Sequence, residues 1–279
     1  MIKAGVMGWP VAHSLSPALH GFWLERHGID GSYERLAVPP DQLADALRVL
    51  ASKGFAGCNL TIPHKAAALP LMELLDPAAR RIGAVNTVVV KPDGALAGYN
   101  TDGYGFIENL RAEIPGWRAG AGPAAVLGAG GAARAIVDAL IQKGAPEIVL
   151  ANRNRARAEQ LAKVFGDKIK VMEWADRAKA LARAMLLVNA TSLGMEGNPP
   201  LEIDLAGLPA GAAVCDIVYA PLETALLKAA KARGLRVADG LGMLLHQARP
   251  AFKLWFGVLP EVSPELRRAV LAAQARMSP

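Results

Sequence analysis

Cysteine is nearly absent: Cys58 and Cys215 are the only two in 279 residues. Two cannot build a disulfide scaffold or a cysteine-based zinc site, and such sparing use suits a reducing, cytoplasmic-type compartment. Aromatic residues make up only 5%, too few for a platform on which bases stack. No run of five like charges occurs, and the 31 Lys and Arg are interspersed with 25 Asp and Glu. The net charge of +6 is therefore read as solubility or a small anionic ligand; DNA binding has nothing else behind it. Ala119–Ala133 is uncharged but short and rich in glycine, so no membrane span is expected. Met1–Gly5 lacks the basic leader and long apolar region of a secretory signal. His13, His20, His27, His64 and His246 show no H-x-x-x-H spacing and no neighbouring Cys, so no metal is expected.

What is abundant is apolar and turn-forming. Apolar residues reach 52%, enough for one or two sizeable cores, and 28 Gly with 19 Pro exceed the usual share of about 12% for the pair. Apolar β-type runs alternate with helical stretches, the pattern of α/β architecture. Strands are expected at Lys3–Met7, Ser32–Val38, Gly57–Thr61, Ala84–Lys91 and Leu96–Tyr99, the last two around a Pro92-Asp93-Gly94 turn. Ser16-Pro17 reads as the N-cap and first residue of a helix ending near Gly28. Asp41–Lys53 reads as a second helix, and Asp76-Pro77 opens a third. After a Gly- and Ala-rich loop at 116–123, strands are expected at Ala124–Leu127, Glu147–Ala151, Ile169–Met172, Met185–Ala190 and Ala213–Val218. Helices are expected at Gly130–Lys143, Arg155–Phe165, Pro221–Arg233, Met243–Phe256 and Pro264–Met277.

Gly128-Ala129-Gly130-Gly131-Ala132-Ala133 follows an expected strand and opens a helix. It fits the dinucleotide fingerprint: Gly128 for the tight turn, Gly130 for approach of a pyrophosphate, Ala133 for close packing of helix on strand. Phosphate charge then meets the free N–H groups of a helix start. At the end of the next strand an NAD site usually carries Asp or Glu, whereas this chain has Asn152-Arg153-Asn154-Arg155. Arg153 and Arg155 suit a 2′-phosphate, which argues for NADP.

The first hundred residues are dense in polar side chains at strand ends: His13-Ser14-Leu15-Ser16-Pro17, Asn59 through Thr61 to His64-Lys65, Asn86-Thr87, and Asn100-Thr101-Asp102. Parallel α/β sheets place ligands at such ends. Together with Asn189–Met195, Asp216-Ile217-Val218-Tyr219, and Gly240 through Met243 to Gln247, these motifs resemble the shikimate dehydrogenases over nearly the whole chain.

That resemblance implies a fold class and an activity. The fold is α/β in two domains: a substrate-binding catalytic domain, 1–104 plus 243–279, and a Rossmann-type, doubly wound NADP domain, 105–242, with a cleft between them. The activity is NADPH-dependent reduction of 3-dehydroshikimate to shikimate in aromatic amino-acid biosynthesis. Lys65 and Asp102 would be the catalytic pair. Ser14 and Ser16, helped by Tyr219, would bind the substrate carboxylate. Thr61, Asn86 and Gln247 would join Lys65 and Asp102 around the ring hydroxyls. Gly128 to Ala133, Asn152, Arg153, Asn154, Arg155, Thr191, Met195, Ile217, Gly240 and Met243 would line NADP(H). Asn154 departs from a common Thr, so one hydroxyl contact to the 2′-phosphate is lost or replaced by an amide. The partner is a small molecule, with no nucleic acid or membrane, and the chain is expected as a monomer or homodimer. Two other readings remain open: a quinate/shikimate dehydrogenase using NAD, and a non-catalytic NADP-binding sensor on the same fold.

Overall fold

The computed structural model describes residues 1–277 and divides the chain into two units: Met1–Thr101 with the chain from Gln247 on, and Asp102–His246. The sequence reading draws its divisions at 104/105 and 242/243, three and four residues away from these.

Unit 1 begins β1 (Ile2–Gly8), α1 (Ser16–Arg26), β2 (Gly31–Ala37), α2 (Leu43–Arg48), β3 (Phe55–Leu60) and α3 (His64–Ala67). It continues β4 (Leu74–Leu75), α4 (Pro77–Ile82), β5 (Thr87–Val90) and β6 (Leu96–Tyr99). Its sheet has the order β2-β1-β3-β5-β6-β4. The first three strands run parallel, and β5 and β6 pair antiparallel. The apolar face packs Met7, Leu60, Cys58 and Val88 against Leu43, Leu47 and Leu50.

Unit 2 opens with α5 (Asp102–Glu113), followed by β7 (Ala124–Leu127), α6 (Gly131–Gln142), β8 (Ile148–Ala151), α7 (Arg155–Phe165) and β9 (Ile169–Met172). Then come β10 (Leu186–Asn189), β11 (Ala213–Asp216), α8 (Ala225–Ala232), β12 (Arg236–Ala238) and α9 (Gly240–Phe256), and α9 leads back into unit 1, which ends in α10 (Pro264–Met277). The six strands of unit 2 are all parallel, in the order β12-β11-β10-β7-β8-β9. This is the doubly wound arrangement, with its order reversing between β7 and β10. Successive strand residues face opposite sides. Val126, Leu150 and Val188 point into a core shared with Phe106, Leu110, Ile136 and Leu161. Leu127, Leu187 and Val214 point into a second core with Leu181, Leu226 and Leu227. Both faces are covered, as a parallel sheet requires.

Some elements differ from the sequence expectation. Ser16 is the first helical residue, not the cap; Leu15 holds the cap position and no side chain caps there. The helix expected over Asp41–Lys53 is a 3-10 turn at Pro40–Gln42 followed by six residues of α2. Once Leu43, Leu47 and Leu50 are buried, the chain turns at Gly54 (φ +75°) to feed β3. The helix expected from Pro221 starts at Ala225, because the Thr224 hydroxyl donates to Asp216 (2.7 Å) while its oxygen caps Leu227 N (3.3 Å). α9 starts three residues earlier than expected. Elements outside the sequence reading include α3, β4, α5, β12 and the 3-10 segment Trp174–Arg183. Two glycines in its first four residues lower the helix propensity of α5, and burial of Phe106, Ile107 and Leu110 restores it. Among the described residues, no helix is long and apolar enough to cross a membrane.

Candidate active site

In unit 1 the polar side chains collect at the ends of β1, β3 and β6. Asn59, the penultimate residue of β3, sits opposite Thr87 of β5. Its amide donates to Asn86 O (3.0 Å) and Thr87 Oγ1 (3.0 Å), and its Oδ1 accepts from Tyr33 (2.6 Å). Burial holds the Tyr33 phenol far above its usual pKa, so it stays a donor. Asn86 is 1% exposed. Its Oδ1 accepts from Thr101 N (2.9 Å) and Thr87 Oγ1 (3.0 Å). Its Nδ2 donates to Thr101 Oγ1 (2.9 Å) and Gln247 Oε1 (3.3 Å). A polar network with its buried groups paired is rigid, and it sets Gln247 beside Asn86.

Lys65 is half-buried on α3. Its carbonyl accepts from Val85 N (2.8 Å), tying the loop with Thr61 to the residue before Asn86. His64 is buried, and a ring nitrogen donates to Val38 O (2.8 Å), so this histidine shapes the loop. Ser14 Oγ accepts from Ser16 N (3.3 Å), and the Ser14 carbonyl accepts two bonds from Arg35 of β2 (2.8 and 3.2 Å). Ser16 spends no hydroxyl on capping. Tyr33 and Arg35 are supports the sequence reading missed; their only signal is their place on a strand paired to β1.

In unit 2, Asp102 opens α5 directly after Thr101 and is 5% exposed. At the ends of β10 and β11, Asn189 Oδ1 accepts from Thr191 N and Oγ1 (3.1 and 2.7 Å), and Asn189 Nδ2 donates to Asp216 (2.9 Å). Asp216 is buried, which raises its pKa against the pull of bonds from Thr224, Val218 N and Asn189. This knot shapes the loops that carry Thr191, Ile217 and Tyr219. Burial also raises the pKa of Tyr219 and keeps its phenol a donor. Met195 is 41% exposed, whereas Met243 is 8% exposed and packs into the core with Phe106. The structure thus places Met243 in the core.

The residues present fit a dinucleotide phosphate. Gly128 has φ +111°, and a Cβ there would lie 2.6 Å from Ala190 O, whereas a Cβ on Gly130 or Gly131 would meet nothing within 4 Å. Glycine is thus demanded by the fold at 128, and open backbone faces outward at 130 and 131. Gly130 caps α6 with no side chain over the helix start, which leaves those N–H groups for an anion. Asn152 Oδ1 accepts from Ala129 N (3.2 Å) and its amide donates to Asn154 O (2.7 Å). Asn154 caps α7. Arg153 is exposed and has no ion-pair partner among the described residues. Arg155 is bound to Glu159 (2.7 Å) and to Glu173.

Three family models match the chain. They are the shikimate dehydrogenase substrate binding domain over residues 6–88, shikimate/quinate 5-dehydrogenase over 119–195, and the shikimate 5′-dehydrogenase C-terminal domain over 240–264. The NADP(+) shikimate dehydrogenase of Paramagnetospirillum magneticum is 59% identical over 269 residues, 96% of this chain and 98% of that one. The chain belongs to the shikimate dehydrogenase family. A solved family member, shikimate 5-dehydrogenase of Thermus thermophilus in complex with NADP(H) and shikimate, is 43% identical with a TM-score of 0.86 over 99% of both chains. The quinate dehydrogenase of Corynebacterium glutamicum in complex with NAD is 33% identical, with a TM-score of 0.90 over 97% of this chain and 99% of that one. One family architecture thus serves both cofactors.

Proposed function

We propose that this chain catalyses the reversible NADPH-dependent reduction of 3-dehydroshikimate to shikimate. The observation that carries the reading is the presence on one chain of two sites: a dinucleotide cradle whose second strand ends in Arg153 with no acid, and the buried amide and hydroxyl cluster of Asn86, Thr101 and Gln247.

NADPH, when bound, supplies the hydride that reduces a ketone to a secondary alcohol. Gly128 to Ala133 and Arg153 would hold its phosphates. The chain's own task is to position a carboxylated ring and to deliver one proton to the ketone oxygen. The Lys65 ammonium donates that proton and offsets the negative charge that develops there. The Asp102 carboxylate accepts a bond from the ring hydroxyl next to the ketone. Asn86, Thr61 and Gln247 present donors and acceptors to the remaining hydroxyls. Ser14, Ser16 and Tyr219 donate to the substrate carboxylate, three neutral donors that avoid the cost of burying a guanidinium. The partner is a small anion, with neither nucleic acid nor membrane involved.

The test follows loss of NADPH absorbance on 3-dehydroshikimate, and the reverse reaction on shikimate and quinate with NADP and NAD. Lys65→Ala is expected to lower turnover by at least about 10²-fold, the scale of a general acid, with NADPH still bound. A wild-type protein that binds NADPH but turns nothing over would make it a sensor.

A further inference from the structure

The turn after β12 is clamped from several sides. Asp239 Oδ1 accepts from Leu241 N (3.0 Å) and Gly242 N (3.3 Å), capping α9. A Cβ on Gly240 would lie 2.2 Å from Ile217 O, so this glycine lets the turn press on the chain leaving β11. Asn109, from the middle of α5 and fully buried, donates from Nδ2 to Asp239 O (2.7 Å). Its Oδ1 occupies the space beside Gly242 so closely that a Cβ on residue 242 would lie 1.8 Å from it. That oxygen accepts no hydrogen bond among the described residues. A buried amide that fills a space cut to its shape and bonds one carbonyl of a turn is a positioning device. Its own helix begins with Asp102, two turns earlier.

The sheet order says what is positioned. In a doubly wound sheet a dinucleotide crosses the point where strand order reverses, its pyrophosphate at the first strand–helix turn. Here that turn is β7–α6, and the adenine-side ribose falls at the end of β8, by Arg153. The other half must extend over the ends of β10, β11 and β12. We propose that Asn109 is a positioning residue for the nicotinamide half of the cofactor, acting by holding the Asp239–Gly242 turn through its bond to Asp239 and its fit against Gly242. This rests on the NADP reading above and adds a residue that touches neither substrate nor cofactor.

The test is fluorescence titration with two probes, NADPH and 2′-phospho-ADP-ribose, the second lacking nicotinamide. Asn109→Ala is expected to weaken NADPH about tenfold, the scale of one lost buried hydrogen bond, and 2′-phospho-ADP-ribose less than about twofold. Gly242→Ala, which sets a methyl into Asn109, is expected to weaken NADPH further. The double variant Asn109→Ala/Gly242→Ala, with the space vacated, should bind NADPH at least about fivefold more tightly than Gly242→Ala alone. Should Gly242→Ala fail to fold, folding of the double variant is the same rescue, and the two probes on Asn109→Ala decide independently. Equal weakening of both probes, wild-type NADPH affinity in Asn109→Ala, or a double variant no better than Gly242→Ala would overturn the proposal. A wild-type protein that binds NADPH without turnover would sink the assigned reaction and leave this assignment standing on binding. One that binds no NADPH would sink both.

Discussion

Arg153 and Arg155 look equivalent in sequence but not in the structure, and the difference predicts how each contributes to cofactor choice. Arg153 is exposed and carries no ion pair among the described residues. Arg155 donates from Nε to Glu159 (2.7 Å) and from Nη1 to Glu173, and these bonds raise its pKa. One guanidinium between two carboxylates leaves a local charge of −1, which does not attract a phosphate. A charge-assisted contact to a 2′-phosphate is worth about 1.5–3 kcal/mol, so Arg153→Ala should raise the KM for NADPH by about 10- to 100-fold. NADH, with no 2′-phosphate, should change by less than about twofold. Arg155→Ala should raise the KM for NADPH by less than about threefold, as expected for an exposed, already neutralised cation under salt screening. Glu173→Gln, which removes one of the two carboxylates and leaves Arg155 paired with Glu159, should tighten NADPH slightly. Initial rates at fixed ionic strength on all four proteins decide it. If Arg155→Ala matches Arg153→Ala, or if Arg153→Ala impairs NADH as much as NADPH, the reasoning is wrong.

Two further predictions concern stability of unit 1. Tyr33→Phe removes the donor to Asn59 Oδ1 (2.6 Å) and leaves a buried acceptor unpaired, so urea unfolding should show a loss of about 1–3 kcal/mol; no measurable loss would mean that water or another donor takes the place. His20 is fully buried against Tyr33, and burial pushes its pKa down to about 3. Its unfolded value is about 6.5, so above that pH both states are neutral and it contributes nothing to the pH dependence. Below it the unfolded chain takes up a proton that the folded chain refuses. Stability should then fall by up to about 1.4 kcal/mol per pH unit between roughly 6.5 and 3 from this group alone. His20→Phe should flatten that dependence; an unchanged slope would assign it to the carboxylates.

The dinucleotide cradle was legible because its code is local. Strand, Gly128, open Gly130 and the start of α6 lie within about ten residues, and each glycine answers to a nearby backbone requirement. The doubly wound sheet of unit 2 was legible for the same reason, since runs such as Leu186–Asn189 and Ala213–Asp216 are buried on both faces and show no alternation. Helix α5 was not legible, because Gly103 and Gly105 lower its helix propensity and only tertiary burial of Phe106 and Leu110 outweighs them. The bond between Asn109 and Asp239 spans 130 positions, and no periodicity records it.

The amides of unit 1 show why part of the site stays hidden until strand pairing is known. Asn86 accepts from a backbone N–H and two hydroxyls through Oδ1, and donates to Thr101 and Gln247 through Nδ2. A carboxylate at this position would have no donor for Gln247 Oε1 and would bury a charge at 1% exposure, whereas the amide is neutral and two-sided. In the sequence, Asn86-Thr87 lies within the expected strand Ala84–Lys91, and nothing there names its partners. The pairing of Asn59 with Thr87 in the antiparallel β3–β5 ladder brings the two amides together, and the bond to Gln247, 161 positions on, needs α9 to return to the first unit. Asn59, Asn86 and Gln247 are therefore joined in one hydrogen-bonded network, whose residue types the sequence displays and whose connections only the topology supplies.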